Sequence, residues 1–167
     1  LGLFEYVSNR IPEISDELFR IDDGMRAGFG WQLGPFEAWD ALGLEKGIEL
    51  MKANGQKPAA WIDEMMASGA KTFYKVENGA KYYYDIPTKS YKVIPGTEDL
   101  VVLDNLRAAN TIWSNKGTTI VDLGDGILNL EFHTKMNTIG AEVIQGINKA
   151  IDLAEADYKG LVISNTG

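Results

Sequence analysis

The chain of 167 residues has no cysteine and one histidine, His133. Without cysteine there is no disulfide, no thiolate metal site and no cysteine nucleophile; no metal site is expected, and a cytoplasmic location is. No apolar run approaches the roughly 20 residues of a membrane span, and no basic-then-apolar leader opens the chain. No methionine opens it either, so Leu1 is expected not to be the natural start. Positive charge is also short. The 16 Lys and Arg face 24 Asp and Glu, a net charge of −8. Phosphate contacts need clustered cations, so no nucleic-acid partner is expected, even though aromatics lie beside Lys75, Lys81, Lys89 and Lys92.

Apolar residues are plentiful, at 45%, enough to bury a core and exclude wholesale disorder. The first half is organised around residues 28–43, GFGWQLGPFEAWDALG. Glycines permit a sharp corner, and proline pre-sets the first turn of a helix. A helix ending near Ala27 and a new one opening at Pro35 are predicted. Gly28, Gly30, Gly34, Pro35, Phe36 and Trp39 form a structural hub, with Phe29, Trp31, Leu33 and Leu42 packed around it. Before it, residues 1–27 read as helical, kinked at Pro12, with Ser15 as an N-cap. After it come a helix from Leu44 to Asn54 and another from Pro58 to Gly69, with Trp61, Ile62, Met65 and Met66 on one face. Asn78-Gly79 signals a hairpin within 72–94, where alternation puts Tyr82 and Tyr84 on one face. The carboxylate pairs Asp22-Asp23 and Asp63-Glu64 read as solvated surface.

The run Ile21-Asp22-Asp23-Gly24-Met25-Arg26, then Gly28-Phe29-Gly30, Gly34-Pro35-Phe36-Glu37 and Asp40-Ala41-Leu42-Gly43, resembles the C-terminal helical domain of 3-hydroxyacyl-CoA dehydrogenases. The stretch from Gly69 to Lys75 is similar to that family's turn into a Phe-Tyr strand. The resemblance implies a mainly α first domain over residues 1–94, of the kind that ends 6-phosphogluconate dehydrogenase. Asn9-Arg10 resembles a pair whose asparagine, in such dehydrogenases, lies near the hydroxyacyl substrate; Asn9 is therefore a substrate-binding candidate. The Ile-Pro-Glu-Ile after it looks more like the structural second copy found in longer members.

Pro87, Pro95, Gly96 and Thr97 interrupt periodicity. Residues 95–116 are expected to be a linker holding a short helix, Leu103 to Asn110. From 117 to 167 the pattern is strand, turn, strand, helix, strand. Thr119 to Phe132 reads as a hairpin turning at Gly124-Asp125-Gly126. A helix from an Asn137 cap to about Ala156 buries Ile139, Val143, Ile147, Ile151 and Ala154, and Leu161 to Ser164 is a buried strand. This ββαβ order, with Phe132-His133-Thr134-Lys135-Met136-Asn137-Thr138-Ile139, resembles the opening of the enoyl-CoA hydratase (crotonase) fold. His133-Thr134 stands where that family has Arg-Pro. The likeness implies a partial α/β unit in which Lys135 is a candidate contact for coenzyme A phosphates. It also implies an oxyanion loop beginning at Asn165-Thr166-Gly167.

The two resemblances imply part of a bifunctional protein of fatty-acid β-oxidation, with NAD as cofactor and acyl-CoA as substrate of the parent. The chain itself has no Gly-x-Gly-x-x-Gly turn for a dinucleotide. Its one histidine lies outside the dehydrogenase-like half, so no His–Glu pair can accept a hydroxyl proton there. No catalytic residue and no bound cofactor are therefore expected in this chain. A homodimer through the helical domain or an exposed sheet edge is the expected assembly. Two further functions fit the sequence: a non-catalytic dimerisation or docking module, and a free-standing acyl-CoA carrier.

Overall fold

A computed structural model describes residues 1–165. Thr166 and Gly167, assigned above to the oxyanion loop, lie outside the described residues. The chain divides into two compact units, Leu1–Glu98 and Asp99–Gly167.

In the first unit five helices precede a three-stranded sheet: α1 Gly2–Asn9, α2 Leu18–Phe29, α3 Pro35–Leu42, α4 Leu44–Ala53 and α5 Ala60–Ala67. The strands β1 Tyr74–Glu77, β2 Ala80–Asp85 and β3 Ser90–Val93 are antiparallel, in the order β1-β2-β3. Asn78 and Gly79 both take positive φ, 51° and 77°, which lets a two-residue turn match the twist of β1 and β2.

The Gly-rich corner lies between α2 and α3. Gly30, at φ 67°, closes α2, and its N–H donates to the Arg26 carbonyl at 3.0 Å. Pro35 opens α3, and the Glu37 carboxylate accepts the Gly34 N–H at 2.8 Å. Phe36, Trp39 and Phe73 are fully buried, with ring centroids 5.0–5.1 Å apart for Phe36–Phe73 and Trp39–Phe73. Phe4 of α1 stacks on Trp39 at 5.0 Å and 6°. A Cβ on Gly47 of α4 would lie 2.2 Å from Trp39 Nε1, so the indole occupies the space that a larger residue there would need.

Several expectations are corrected. Residues 1–27 are not one kinked helix; residues 10–17 separate α1 from α2. Ser15 does not cap α2: Glu17 holds that position, and the Ser15 hydroxyl bonds the Glu17 main chain instead. The hub is half its expected size. Gly28, Phe29, Gly30, Trp31 and Leu33 are exposed, Phe29 at 73%, because they turn the corner on its solvent side. Tyr83 is as buried as Tyr84, since Phe19 of α2 packs on it at 4.7 Å and both faces of β2 are covered.

The second unit comprises α6 Leu103–Asn110, β4 Thr111–Ser114, β5 Thr118–Gly124, β6 Ile127–Phe132, a 3-10 turn Lys135–Asn137, α7 Ala141–Asp157 and β7 Gly160–Ile163. Its sheet has the order β4-β5-β6-β7. The β4–β5 and β5–β6 pairs are antiparallel, and α7 carries the chain to β7, parallel to β6. α7 sits close on the sheet because a Cβ on Gly146 would lie 2.2 Å from the Thr118 hydroxyl.

Here too the sequence reading needs revision. Thr111–Ser114, placed in the linker, is the edge strand β4. α7 begins at Ala141 after Gly140; Asn137 lies in the 3-10 turn, at φ 53°. Its buried positions are Val143, Gly146 and Ala150, with Ile147, Leu153 and Ala154 packed against the core, whereas Ile139 and Ile151 face solvent. β7 is parallel as expected but is an edge strand, with Val162 and Ile163 exposed.

Replacing Trp39 with alanine removes the side chain that α1, α4 and Phe73 pack upon. The expected loss is about 3–5 kcal/mol in chemical denaturation, the range for a large core side chain cut to alanine. Gly47→Ala, which must displace the indole, is expected to cost about 1–3 kcal/mol. A loss below ~1 kcal/mol for Trp39→Ala would contradict this account of the core.

Candidate functional site

The densest polar cluster in the first unit surrounds α3. The Asp22 carboxylate reaches from α2 to the start of α3, accepting the N–H of Phe36 at 2.9 Å and of Glu37 at 3.0 Å. These amides lack partners within their own helix, so a carboxylate is a favoured cap there. The Tyr74 hydroxyl donates to the same carboxylate at 2.8 Å. Asp40, near the other end of α3, accepts the N–H of Phe73 and of Tyr74 at 2.8 and 2.9 Å. Glu37 forms ion pairs with Arg26 and Lys81.

Electrostatics follow from this crowding. Burial pushes Asp22 up to about 6, against the pull of the Phe36 amide, the Tyr74 hydroxyl and the Glu37 amide. Burial likewise lifts Asp40 to about 6. The Tyr74 phenol is raised by burial and by the Asp22 charge. Glu37 is also pushed up by burial, but Lys81, the Gly34 amide and Arg26 bring it below the usual carboxylate range. Every lone pair used here is committed to main chain, tyrosine or ion pair, which describes a clamp holding α2, α3 and β1. Asp22 was read from sequence as surface; it is fully buried, and only Asp23 of that pair faces outward. The signal was available in the glycine at 34. A Cβ there would lie 2.3 Å from the Asp22 side chain, so the carboxylate can cap α3 only beside a glycine.

Asn9 lies at the end of α1. Its amide donates to the Glu5 carbonyl at 2.9 Å and to the Lys57 carbonyl at 3.2 Å, fastening α1 to the segment before α5. Glu5 accepts the Lys57 N–H at 2.8 Å, and Ser8 accepts that of Ala59 at 3.2 Å, so the same edge is stitched three times. Asn9 also lines a concavity of about 340 Å³ with Gly2, Glu5, Tyr6 and Arg10. Beyond Arg10, α1 and α2 border a larger groove of about 610 Å³ with apolar walls, among them Leu3, Ile14, Ile21, Met25 and Phe29.

In the second unit the exposed Lys135 lies in the 3-10 turn after β6. His133 is exposed, and its Nε2 is 2.7 Å from the Thr119 hydroxyl. The buried Glu131 is bound by Arg107 of α6, whose Nε donates at 2.8 Å. Asn9 and Lys135 belong to different units. Among the described residues, no helix is long and apolar enough to cross a membrane.

The raised carboxylates give a pH dependence whose sign is fixed. A folded pKa near 6 against 3.8 when unfolded means that native protein holds the extra proton between those values. The stabilising contribution is thus complete below about pH 4 and is lost as pH rises through 6. Asp22→Asn removes that titration. The wild type should gain stability relative to the variant as pH falls from 7.5 to 4.5, by on the order of 1–3 kcal/mol. Urea denaturation of both proteins at the two pH values checks it; a gain by the variant would reverse the assignment.

No family model matches the chain, and no solved structure matches it. Curated proteins do. A protein of Bacillus subtilis (strain 168), provisionally named 3-hydroxyacyl-CoA dehydrogenase, is 42% identical over 163 residues, which is 97% of this chain and 20% of that protein. Two proteins provisionally named fatty acid oxidation complex trifunctional enzyme, from Rickettsia prowazekii (strain Madrid E) and Rickettsia felis (strain ATCC VR-1525 / URRWXCal2), are each 22% identical. They match over 97% and 98% of this chain, and 19% and 20% of their own lengths. The chain spans about one fifth of these relatives. Over nearly its whole length it is similar to one segment of proteins named as 3-hydroxyacyl-CoA dehydrogenase and fatty acid oxidation enzymes.

Proposed function

We propose that the chain is a segment of a bifunctional enzyme of fatty-acid β-oxidation, bridging a 3-hydroxyacyl-CoA dehydrogenase and an enoyl-CoA hydratase. Residues 1–94 are its helical dehydrogenase domain. The hydratase part follows, with α6 and β4 joined to it rather than left in a linker. The observation that carries the reading is the 42% identity across 97% of the chain to the Bacillus subtilis protein. The ββαβ order of β5, β6, α7 and β7 supports the hydratase assignment.

In the whole protein NAD accepts the hydride and an acyl-CoA is the substrate, in the cytoplasm. This segment supplies scaffold. The clamp of Asp22, Asp40 and Tyr74 fixes α3 and β1, Asn9 borders a concavity at the end of α1, and Lys135 stands ready for a coenzyme A phosphate. In the longer protein the outer edge of β7 pairs with further strands of its sheet; in the isolated chain that edge is the surface through which two copies associate. Catalysis by the 167 residues alone is not expected. No Gly-x-Gly-x-x-Gly turn is present, and the one histidine lies beside a threonine hydroxyl.

Two measurements test this. The purified chain, given a short 3-hydroxyacyl-CoA with NAD or an enoyl-CoA, should show no turnover above background; turnover above the uncatalysed rate that survives His133→Ala and further purification would overturn inactivity. A chimera in which this chain replaces the matched segment of the Bacillus subtilis protein should keep the NAD-dependent oxidation of the intact protein within about tenfold, roughly 1.4 kcal/mol of barrier. A folded chimera without that activity, beside an active intact protein, would overturn the family reading.

A further inference from the structure

Two asparagines in the chain precede a glycine: Asn54 at the end of α4 and Asn78 between β1 and β2. Glycine carries no Cβ, so its main-chain nitrogen can approach the side-chain amide carbon of the residue before it with least hindrance. The structure treats the two pairs differently. Asn54 is exposed, but its Nδ2 donates to the Leu50 carbonyl at 2.8 Å, and the Gly55 N–H donates to the Lys52 carbonyl at 3.1 Å. The Gln56 N–H then donates to the Met51 carbonyl at 2.9 Å, so this pair lies within a closed helix end.

Asn78 and Gly79 are the two residues of the β1–β2 turn. The last pair of the ladder is Glu77 with Ala80, which places the Gly79 N–H outside it. Asn78 is exposed, and among the described residues neither its side-chain amide nor the Gly79 N–H makes a hydrogen bond. Val76 and Glu77 beside it are exposed as well. Water therefore reaches the turn, and the tip of the hairpin can open without uncovering the core.

We propose that Asn78 is a site of spontaneous covalent modification, through a cyclic imide formed with Gly79. The Gly79 main-chain nitrogen attacks Asn78 Cγ; the N–Cγ bond forms, the Cγ–Nδ2 bond breaks, and ammonia leaves with the proton from that nitrogen. Water then opens the ring at Cγ to give aspartate, or at the main-chain carbonyl carbon to give isoaspartate. Nothing is oxidised or reduced. Isoaspartate adds a methylene to the main chain, and a two-residue turn matched to the strand twist has no place for it. The Glu77–Ala80 pair is then lost at the end of β1, the strand whose first residue, Tyr74, reaches Asp22 and Asp40. The modified chain thus carries one more negative charge and a loosened hairpin. The site does not depend on the activity of the parent protein.

The test keeps the full 167-residue chain folded at mildly alkaline pH in water enriched in oxygen-18. Peptide mass spectrometry and labelling with an isoaspartyl methyltransferase follow the products. Heavy oxygen should enter Asn78 first, as both aspartate and isoaspartate. Asn54 should react about tenfold or more slowly, because its hydrogen bonds must break beforehand. In urea, where no structure distinguishes them, the two should react at similar rates. Asn78→Gly keeps a residue that accepts positive φ and removes the reactive amide, so it should fold and stay unmodified at the turn. Aged wild type should lose amide-exchange protection at Glu77 and Ala80, whereas aged Asn78→Gly should keep it. Modification of Asn54 at an equal or greater rate in the folded chain overturns the proposal. So does an Asn78 that stays intact while the urea-treated chain is converted. Unchanged protection in isoaspartate-containing protein would overturn the loosening of the hairpin.

Discussion

A buried carboxylate, Asp22, and a half-buried one, Asp40, hold helix α3 at its two ends, and most of the first unit depends on that grip. α3 has only eight residues, far too few to persist on propensity alone. Asp22 supplies acceptors for the first amides of the helix, and Asp40 carries two acceptors out to the start of β1. Tyr74 touches both, through its hydroxyl to Asp22 and its N–H to Asp40. The arrangement ties together residues far apart in the chain without any apolar contact. It also explains Gly34, where the carboxylate leaves no room for a Cβ.

The apolar core follows from the same geometry. With α3 fixed, Phe36 and Trp39 lie one turn apart on its inner face and meet Phe73, the residue before Tyr74. Phe4 stacks on Trp39 from α1, and Gly47 gives the indole space from α4. Polar clamp and aromatic core thus share neighbouring residues, so a change in one is felt in the other. The corner residues Phe29, Trp31 and Leu33 stay outside because α2 ends at the left-handed Gly30, which carries the chain over the solvent side before it returns at Pro35.

The second unit obeys a different constraint. A β5–β6 hairpin followed by a crossover helix gives a mixed sheet with β4 at one edge and β7 at the other. The small residue at 146 lets α7 approach Thr118 closely, and Arg107 forms an ion pair with the buried Glu131. The unpaired side of β7 and the exposed Val162 and Ile163 make a surface suited to further strands.

Local chemistry was legible in the sequence. Pro35 opens α3, Gly30 closes α2, Asn78-Gly79 turns one hairpin and Gly124 to Gly126 the other, and Leu103 to Asn110 is helical. Each of these depends on residues within a few positions of one another, where steric limits and main-chain hydrogen bonds decide the outcome. Periodicity gave α7 its existence and part of its buried face, Val143, Ile147 and Ala154, but Gly146 and Ala150 bring the helix to the sheet and leave Ile139 and Ile151 exposed. The burial of Asp22, the pairing of β4 with β5 and the groove beside Arg10 could not be read from local pattern. Asp22 meets its acceptors' partners fourteen, fifteen and fifty-two residues away. By itself the sequence determined the turns and the existence of most helices and strands; only the tertiary structure decided several of their limits and which side chains lie inside, because burial depends on partners that chain folding, and not sequence spacing, brings together.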